Sequence, residues 1–418
     1  MLVHGLVASL WLAGCAKSRS SEDAAVEDAR AMDAAGDAST VDSAIAPDAT
    51  LADTATMDAF PADSTLLEDA EAIDAPPDIA PVDEGMPPSG FNRVFVSSQT
   101  FAMNLGGVAP YDAACNDLAR AAGLEDESES NFIAWMSDRS SSAASRLGEA
   151  RGFVRVNGEA FADELLASEV FRAVLLDESG ASVPLEEVVA TGTNPDGTSS
   201  TGTTGNCDNW SDLSLSSAAT TGRADGGSRA WTSRGRSTCS IARRIYCLEN
   251  VHVRELVPER ETGRLIYLTN EDFDPGGSLS PAEACDASKP DGAGDVASLL
   301  ATTAAAASNV LADAVTYVRP DGIAVGTGAQ LRAGEWQTGA WQEGNGAYTN
   351  ELRRVWTGSE RIDLPADAAC EDWTTDSREI RGSYGFPDSP VNGAFWTLQT
   401  RRCVSSQDLR LYCVETSD

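Results

Sequence analysis

The residues of this 418-residue chain that could do chemistry are nine cysteines, two histidines and a cluster of arginines. Cys15 stands alone near the start. The other eight fall into two sets of four: Cys115, Cys207, Cys239 and Cys247, then Cys285, Cys370, Cys403 and Cys413. Four thiolates could hold a zinc ion, but such sites use close C-x-x-C pairs, and none occurs here. The alternative is two disulfides per set, which requires an oxidising compartment. Four cysteines allow three pairings, and spacing does not choose among them. His4 lies in a leader and His252 in a stretch that reads as a connector, so the predicted domains lack histidine. That excludes Ser-His-Asp hydrolysis, Cys-His proteolysis and histidine-ligated metal chemistry. Carboxylates are plentiful, yet no spacing singles out a glycosidase pair. We therefore expect a non-enzyme with no metal and no cofactor.

The arginines concentrate between Gly222 and Cys247. Arg223, Arg229, Arg234, Arg236, Arg243 and Arg244 surround Trp231, and Asp225 is the one acid among them. Guanidinium forks pair with carboxylates and sulfates alike, so the segment is a candidate site for an acidic polysaccharide or a partner protein's carboxylates. The competing reading is solvated surface in a chain that uses arginine almost to the exclusion of lysine, Lys17 and Lys289 being its two lysines. The second set of cysteines has Arg401, Arg402 and Arg410 in the matching region, diluted by Glu371, Asp372, Glu379 and Asp388. The whole chain carries a formal charge of -35, which disfavours nucleic acid as a partner.

Leu6 to Ala13 is apolar and too short to span a bilayer, as expected of a signal-peptide core. It ends in Leu12-Ala13-Gly14-Cys15, which resembles the lipobox of bacterial lipoproteins. The resemblance implies a 1–15 signal peptide, a lipid-modified Cys15 and anchoring to a membrane without spanning it. The n-region departs from the pattern in lacking Lys and Arg. Ala16 is not an inner-membrane retention aspartate, so the outer membrane, cell-surface side, is the expected location. Residues 16–90 are rich in Ala, Asp, Pro and Thr, with 18 acids against three bases and Phe60 as the one aromatic. Such a composition cannot offset its ordering entropy, and a disordered tether is expected.

The rest of the chain repeats itself. Phe153-Val154-Arg155-Val156-Asn157-Gly158 matches Tyr317-Val318-Arg319-Pro320-Asp321-Gly322, and Val189 to Thr193 matches Val355 to Ser359. Cys207-Asp208-Asn209-Trp210 matches Cys370-Glu371-Asp372-Trp373, and Tyr246-Cys247 matches Tyr412-Cys413. Trp231 and Trp396 each precede the third cysteine of their copy. We expect a first domain over 91–249, a linker over 250–263 and a second domain over 264–416. Each copy begins with a strand, Arg93–Val96 or Leu265–Leu268. A helix carrying the first cysteine follows, with Ser280-Pro281-Ala282-Glu283 as a capping box and Ala114, Leu118 and Ala122 on the helical stripe before Gly123. A second helix is expected near Phe132–Met136 and near Val296–Ala306. Asn157-Gly158 and Asp321-Gly322 are hairpin turns, and short strands complete an α+β domain.

This marker string resembles the C-type-lectin-like fold, in particular the endostatin-like branch found in bacterial lipoproteins, over roughly 92–249 and 264–416. Its markers are an aromatic-Val-Arg-x-Asp-Gly strand, Trp-Thr-Gly, Cys-x-x-Trp and a terminal Tyr-Cys. Copy one departs in having Ala190 where the Trp of Trp-Thr-Gly is expected. The resemblance implies nested disulfides, Cys115–Cys247 around Cys207–Cys239 and Cys285–Cys413 around Cys370–Cys403. It also implies a non-catalytic binding module for matrix proteins or acidic polysaccharide, the alternative being a structural envelope lipoprotein without a dedicated ligand. The calcium-ligand motifs of sugar-binding lectins are missing, and Asn194-Pro195-Asp196-Gly197 reads as a turn. The tryptophans beside cysteines read as core.

Overall fold

Each repeat is closed by its own two ends. In the computed structural model, which describes residues 90–124, 131–166, 169–349, 353–388, 390, 399–404 and 408–417, the first strand of a repeat pairs with its last. In repeat one, β1 (Asn92–Val96) lies antiparallel to β8 (Tyr246–Glu249), setting Phe95 opposite Cys247. The strands between are β2 (Phe132–Ala134), β3 (Phe153–Arg155), β4 (Ala160–Ala162), β5 (Val188–Ala190), β6 (Ala218–Arg223) and β7 (Gly235–Thr238). They form a five-stranded sheet in the order β2-β8-β1-β3-β4 and a three-stranded sheet β5-β6-β7.

Repeat two contributes β9 (Arg264–Leu268), β10 (Val296–Ser298), β11 (Thr316–Val318), β12 (Ala324–Thr327), β13 (Arg354–Trp356), β14 (Arg381–Gly385), β15 (Thr400–Arg402), β16 (Leu409–Arg410) and β17 (Tyr412–Glu415). Its main sheet runs β10-β17-β9-β11-β12, strand for strand the order of repeat one, and its second sheet runs β15-β14-β13-β16. The fold is mixed α+β, mostly small sheets with few helices. Among the described residues no helix is long and apolar enough to cross a membrane. Cys15, the 1–15 leader, the 16–90 tether up to residue 89, and Trp396 lie outside the described residues.

Four disulfides join Cys115–Cys247, Cys207–Cys239, Cys285–Cys413 and Cys370–Cys403. The outer bridge of each repeat ties the first helix to the last strand. It spans 132 residues in repeat one and 128 in repeat two, which by loop-closure entropy is worth about 5 kcal/mol against the reduced chain.

The helix Ala109–Ala121 corrects one expectation. Its buried stripe is Tyr111, Cys115 and Ala119, one residue round from Ala114, Leu118 and Ala122, because Cys115 must face β8. The second expected helices are strands. Phe132–Ala134 pairs with β8 on one side. On the other, the Asn116 side chain accepts from Phe132 N at 3.0 Å and donates to Phe132 O at 2.7 Å, taking the place of a neighbouring strand. Val296–Ser298 pairs in the same way with β17, and a 3-10 turn at Ala307–Val310 is the nearest helical element that follows. Tertiary pairing overrides the helix propensity of the alanine-rich 296–306 segment, whereas Phe132 and Ile133 are residue types that suit a strand. Other local signals are realised: Ser280 and Glu283 form the capping box, and Gly158 and Gly322, at φ +87° and +83°, turn the β3–β4 and β11–β12 hairpins.

Cys-x-x-Trp forms a left-handed turn in both repeats. Cys207, Asp208, Asn209 and Trp210 have φ of 52°, 49°, 64° and 57°, and Cys370, Glu371, Asp372 and Trp373 have 48°, 53°, 53° and 69°. Left-handed backbone costs about 1–2 kcal/mol per ordinary residue, so tertiary contacts must hold it. The inner disulfide fixes the first residue, and the indole fixes the last by donating to Ser137 O (2.8 Å) or Ala301 O (2.9 Å). Glu371 is exposed and gains nothing visible from this conformation. Glu371→Gly should therefore raise stability by about 1 kcal/mol, read as a higher urea midpoint at unchanged slope; a lower midpoint would show that the turn is not strained there.

Candidate functional site

The six arginines around Trp231 are divided among separate duties. Trp231 itself is 1 % exposed, packed against Trp135, Phe161 and Tyr246, so it belongs to the core and offers no surface for stacking. Arg223 forks onto the fully buried Asp225 at 2.8 and 2.5 Å, with Glu186 at 3.5 Å. Arg244 donates to Ser97 O at 2.5 Å and pairs with Glu187 at 3.7 Å. Arg243 donates to Ser237 Oγ at 2.9 Å. Arg234 reaches out of repeat one to Asp388 of repeat two. Arg229 is half-buried and Arg236 is exposed at the tip of β7. A +5 segment in sequence is thus partly a set of internal cross-links in space, because acids distant in sequence (Glu186, Glu187, Asp388) are folded against it.

Asn194 to Gly197 is a turn, with Gly197 N donating to Asn194 O (2.9 Å) and Asp196 Oδ1 accepting from Thr198 N and Oγ1 (3.0 and 2.6 Å). Among the described residues no group of His, Cys, Asp and Glu is disposed to hold a metal ion.

Sequence reasoning missed a seam between the repeats. The described residues of both repeats belong to one compact unit, and the connector is laid along repeat one. Asn92 Nδ2 donates to Arg151 O and His252 O, while its Oδ1 accepts from Val251 N and His252 N. Leu256 packs with Val154, Phe171 and Ile323. At the centre lies Arg319, 0 % exposed. It donates to Phe171 O of repeat one (2.8 Å), Gly339 O (3.2 Å) and Asp321 Oδ2 (2.7 Å), with its guanidinium 4.8 Å from the ring of Trp341. Trp341, also fully buried, joins the core of repeat one and donates to Val170 O at 2.8 Å. A Cβ added at Gly227 or Gly339 would sit 2.3 Å from that indole, so glycine is required on both sides of the ring. Tyr348 donates to Asp321 Oδ2 at 2.6 Å, and burial pushes its phenol far above the ordinary range. The Arg of the repeated aromatic-Val-Arg-x-Asp-Gly string was visible in sequence, but nothing local marked Arg319 as the copy that crosses between repeats.

The second feature is a cleft of about 380 Å³ with mixed polar and apolar lining at the start of repeat two, between the end of β9 and the helix Pro281–Ala287. Its lining includes Asn270, Glu271, Asp272, Asp274, Ser278 and Ser288. The loop is tied down: Asn270 N donates to Ser288 Oγ (3.0 Å), and Asn270 Oδ1 accepts from Asn345 N (2.9 Å). Arg410, 5 % exposed, stands behind, 3.2 Å from Asp272 and 3.4 Å from Glu343. Arg353 adds a 3.5 Å contact to Asp272. Burial raises the Asp272 and Glu343 carboxyls above their usual range, opposed by Arg410 and Arg353. The cleft can accept hydrogen bonds and bind cationic or hydroxylic groups; its walls are acidic.

No protein-family model matches this chain, and no curated protein matches it either.

Removing the Arg319 guanidinium would take the charged fork from the buried Asp321, leaving it the neutral donors Tyr348 Oη and Ile323 N, and would leave Phe171 O with the longer bond from Thr338. Arg319→Met should cost about 3–5 kcal/mol, measured by urea unfolding, and a loss under 1 kcal/mol would show the seam to be incidental.

Proposed function

We propose that the chain is a lipid-anchored, non-catalytic recognition protein of the bacterial cell envelope, held at the outer membrane through Cys15 and displaying two C-type-lectin-like domains at the end of the 16–90 tether. Support for the lectin-like reading comes from the nested disulfides, the shared strand order of the two main sheets and the paired first and last strands. The observation that carries the binding reading is the cleft at Thr269–Ser288, a hollow bearing three carboxylates on a disulfide-closed scaffold, within the size range of ligand sites. Its acidic wall, and the engagement of Arg223, Arg234 and Arg244 by acids, favour an extracellular protein presenting basic or hydroxylic side chains over a sulfated polysaccharide. Protein recognition here is electrostatic at its rim and should weaken with salt.

Two measurements test this. Cys15→Ala should move the protein from the membrane fraction to the soluble envelope fraction; retention in the membrane fraction would remove the lipid anchor. The oxidised, anchor-free protein, applied to arrays of matrix proteins, sulfated polysaccharides and glycans with and without chelator, should bind a protein saturably and independently of calcium. Asp272→Asn should weaken that binding about tenfold with unchanged circular dichroism. Preference for a sulfated polysaccharide would return the site to Arg229, Arg236 and Arg243, and no binding from a folded sample would favour a purely structural envelope protein.

A further inference from the structure

We infer that repeat one supplies the counter-charge for a buried carboxylate of repeat two, Arg234 standing across the seam in place of a guanidinium that repeat two lacks, so that repeat two is stable only with repeat one beside it.

In repeat one β5 pairs with β6 so that Ala190 faces Thr221; in repeat two β13 pairs with β14 so that Trp356 faces Tyr384. Counting on two residues from these partners, Arg223 corresponds to Phe386; counting on four, Asp225 corresponds to Asp388. Both aspartates are buried, at 0 % and 8 % exposure. Asp225 is served from within its own repeat by the Arg223 fork. Asp388 has a phenyl ring where that fork would be.

The missing cation arrives from the other repeat. Arg234 Nε lies 3.5 Å from Asp388 Oδ2, and its guanidinium stacks over Phe386 at 4.6 Å from the ring centroid. The main chain follows, Gly227 N of repeat one donating to Asp388 O at 3.2 Å. The substitution of Phe for Arg at 386 therefore removes a charge and creates the platform on which the replacement rests.

The other groups that act on Asp388 are Arg223, which lowers its pKa, and Asp225, which raises it; the Tyr412 phenol from β17 is electrostatically coupled to it. Burial outweighs the cations, and the Asp388 carboxyl sits above the usual range. The sign of the pH effect follows. Because the folded state binds the proton more tightly than the unfolded chain, the ionised form is the costly one. Loss of Arg234 should hurt most when Asp388 must be charged and least in acid.

The test uses the full oxidised chain. Arg234→Met keeps an apolar side chain over Phe386 and removes the charge. It should lower the thermal midpoint by roughly 5–10 °C at pH 7.5 and by less than half of that at pH 4.5. Adding Asp388→Asn should restore most of the loss at pH 7.5. If the single variant does not fold at neutral pH, recovery of folding in the double variant carries the same conclusion. In the parent protein, calorimetry should show both repeats melting in one transition. An unchanged midpoint in Arg234→Met would overturn the inference. So would a loss equal at both pH values and not restored by Asp388→Asn, or a repeat two that melts separately from repeat one.

Discussion

The pairing of the first strand of each repeat with its last is the constraint on which the other features depend. Strands β1 and β8, and β9 and β17, are more than 140 residues apart in sequence, so their union closes a long loop at a large entropic cost. The outer disulfide is rooted in that pairing through Cys247 or Cys413 and offsets much of the cost by shortening the loop in the unfolded chain. Once the ends meet, the remaining parts have fixed places. The first helix is held by its cysteine, the edge strand β2 or β10 lays itself on the last strand, and the parallel strand β3 or β11 extends the other edge. The long excursion between them must then fold over this sheet, and its second small sheet is fastened by the inner disulfide and the indole of the left-handed turn. A local conformation costing several kcal/mol survives because everything around it is already determined.

Much of this was legible in the residues. Eight cysteines revealed the period, the matched strings revealed two copies, and hairpin glycines and the Ser280 capping box marked turns and a helix start. The misreadings share one physical cause. Phe132–Ala134 and Val296–Ser298 are too short for periodicity to separate helix from strand, and become strands because β8 and β17 offer open edges that lie far away in sequence. The helix stripe around Cys115 was displaced by one residue because apolar spacing alone could not weigh the demand of a disulfide partner. The arginines around Trp231 looked like a surface patch because their partners, Glu186, Glu187 and Asp388, lie up to 154 residues away from them in sequence. Charge proximity in sequence is informative only when no distant acid is folded onto it.

The seam explains how two copies of one scaffold came to differ. Arg155 and Arg319 occupy equivalent positions, each donating to an equivalent carbonyl, Ala173 O and Gly339 O. Arg155 then pairs with Glu159 inside its own repeat. Arg319 reaches over to Phe171 O as well, and Trp341 follows it into the core of repeat one. Burial, with Arg172 nearby, brings the Arg155 guanidinium down to about 10, a measure of how dry this region is. In such a setting each cation must be matched in place. The repeats are therefore related by sequence but not interchangeable, since each has surrendered part of its own completeness to the other.

This bears on what a strongly acidic protein does with its few cations. At -35 the surface repels itself, which favours solubility and works against compactness. Scattered basic side chains on the surface would contribute little, because exposed pairs are worth under about 1 kcal/mol. Placed in dry seams, the same arginines become specific: Arg319 selects two carbonyls and one carboxylate, Arg234 one carboxylate and one ring, Arg410 the carboxylates of Asp272 and Glu343. The cleft is lined by Glu271, Asp272 and Asp274, and Arg410 and Arg353 lie against Asp272. On the proposed reading, a partner would meet this acidic wall with Arg410 paired behind it.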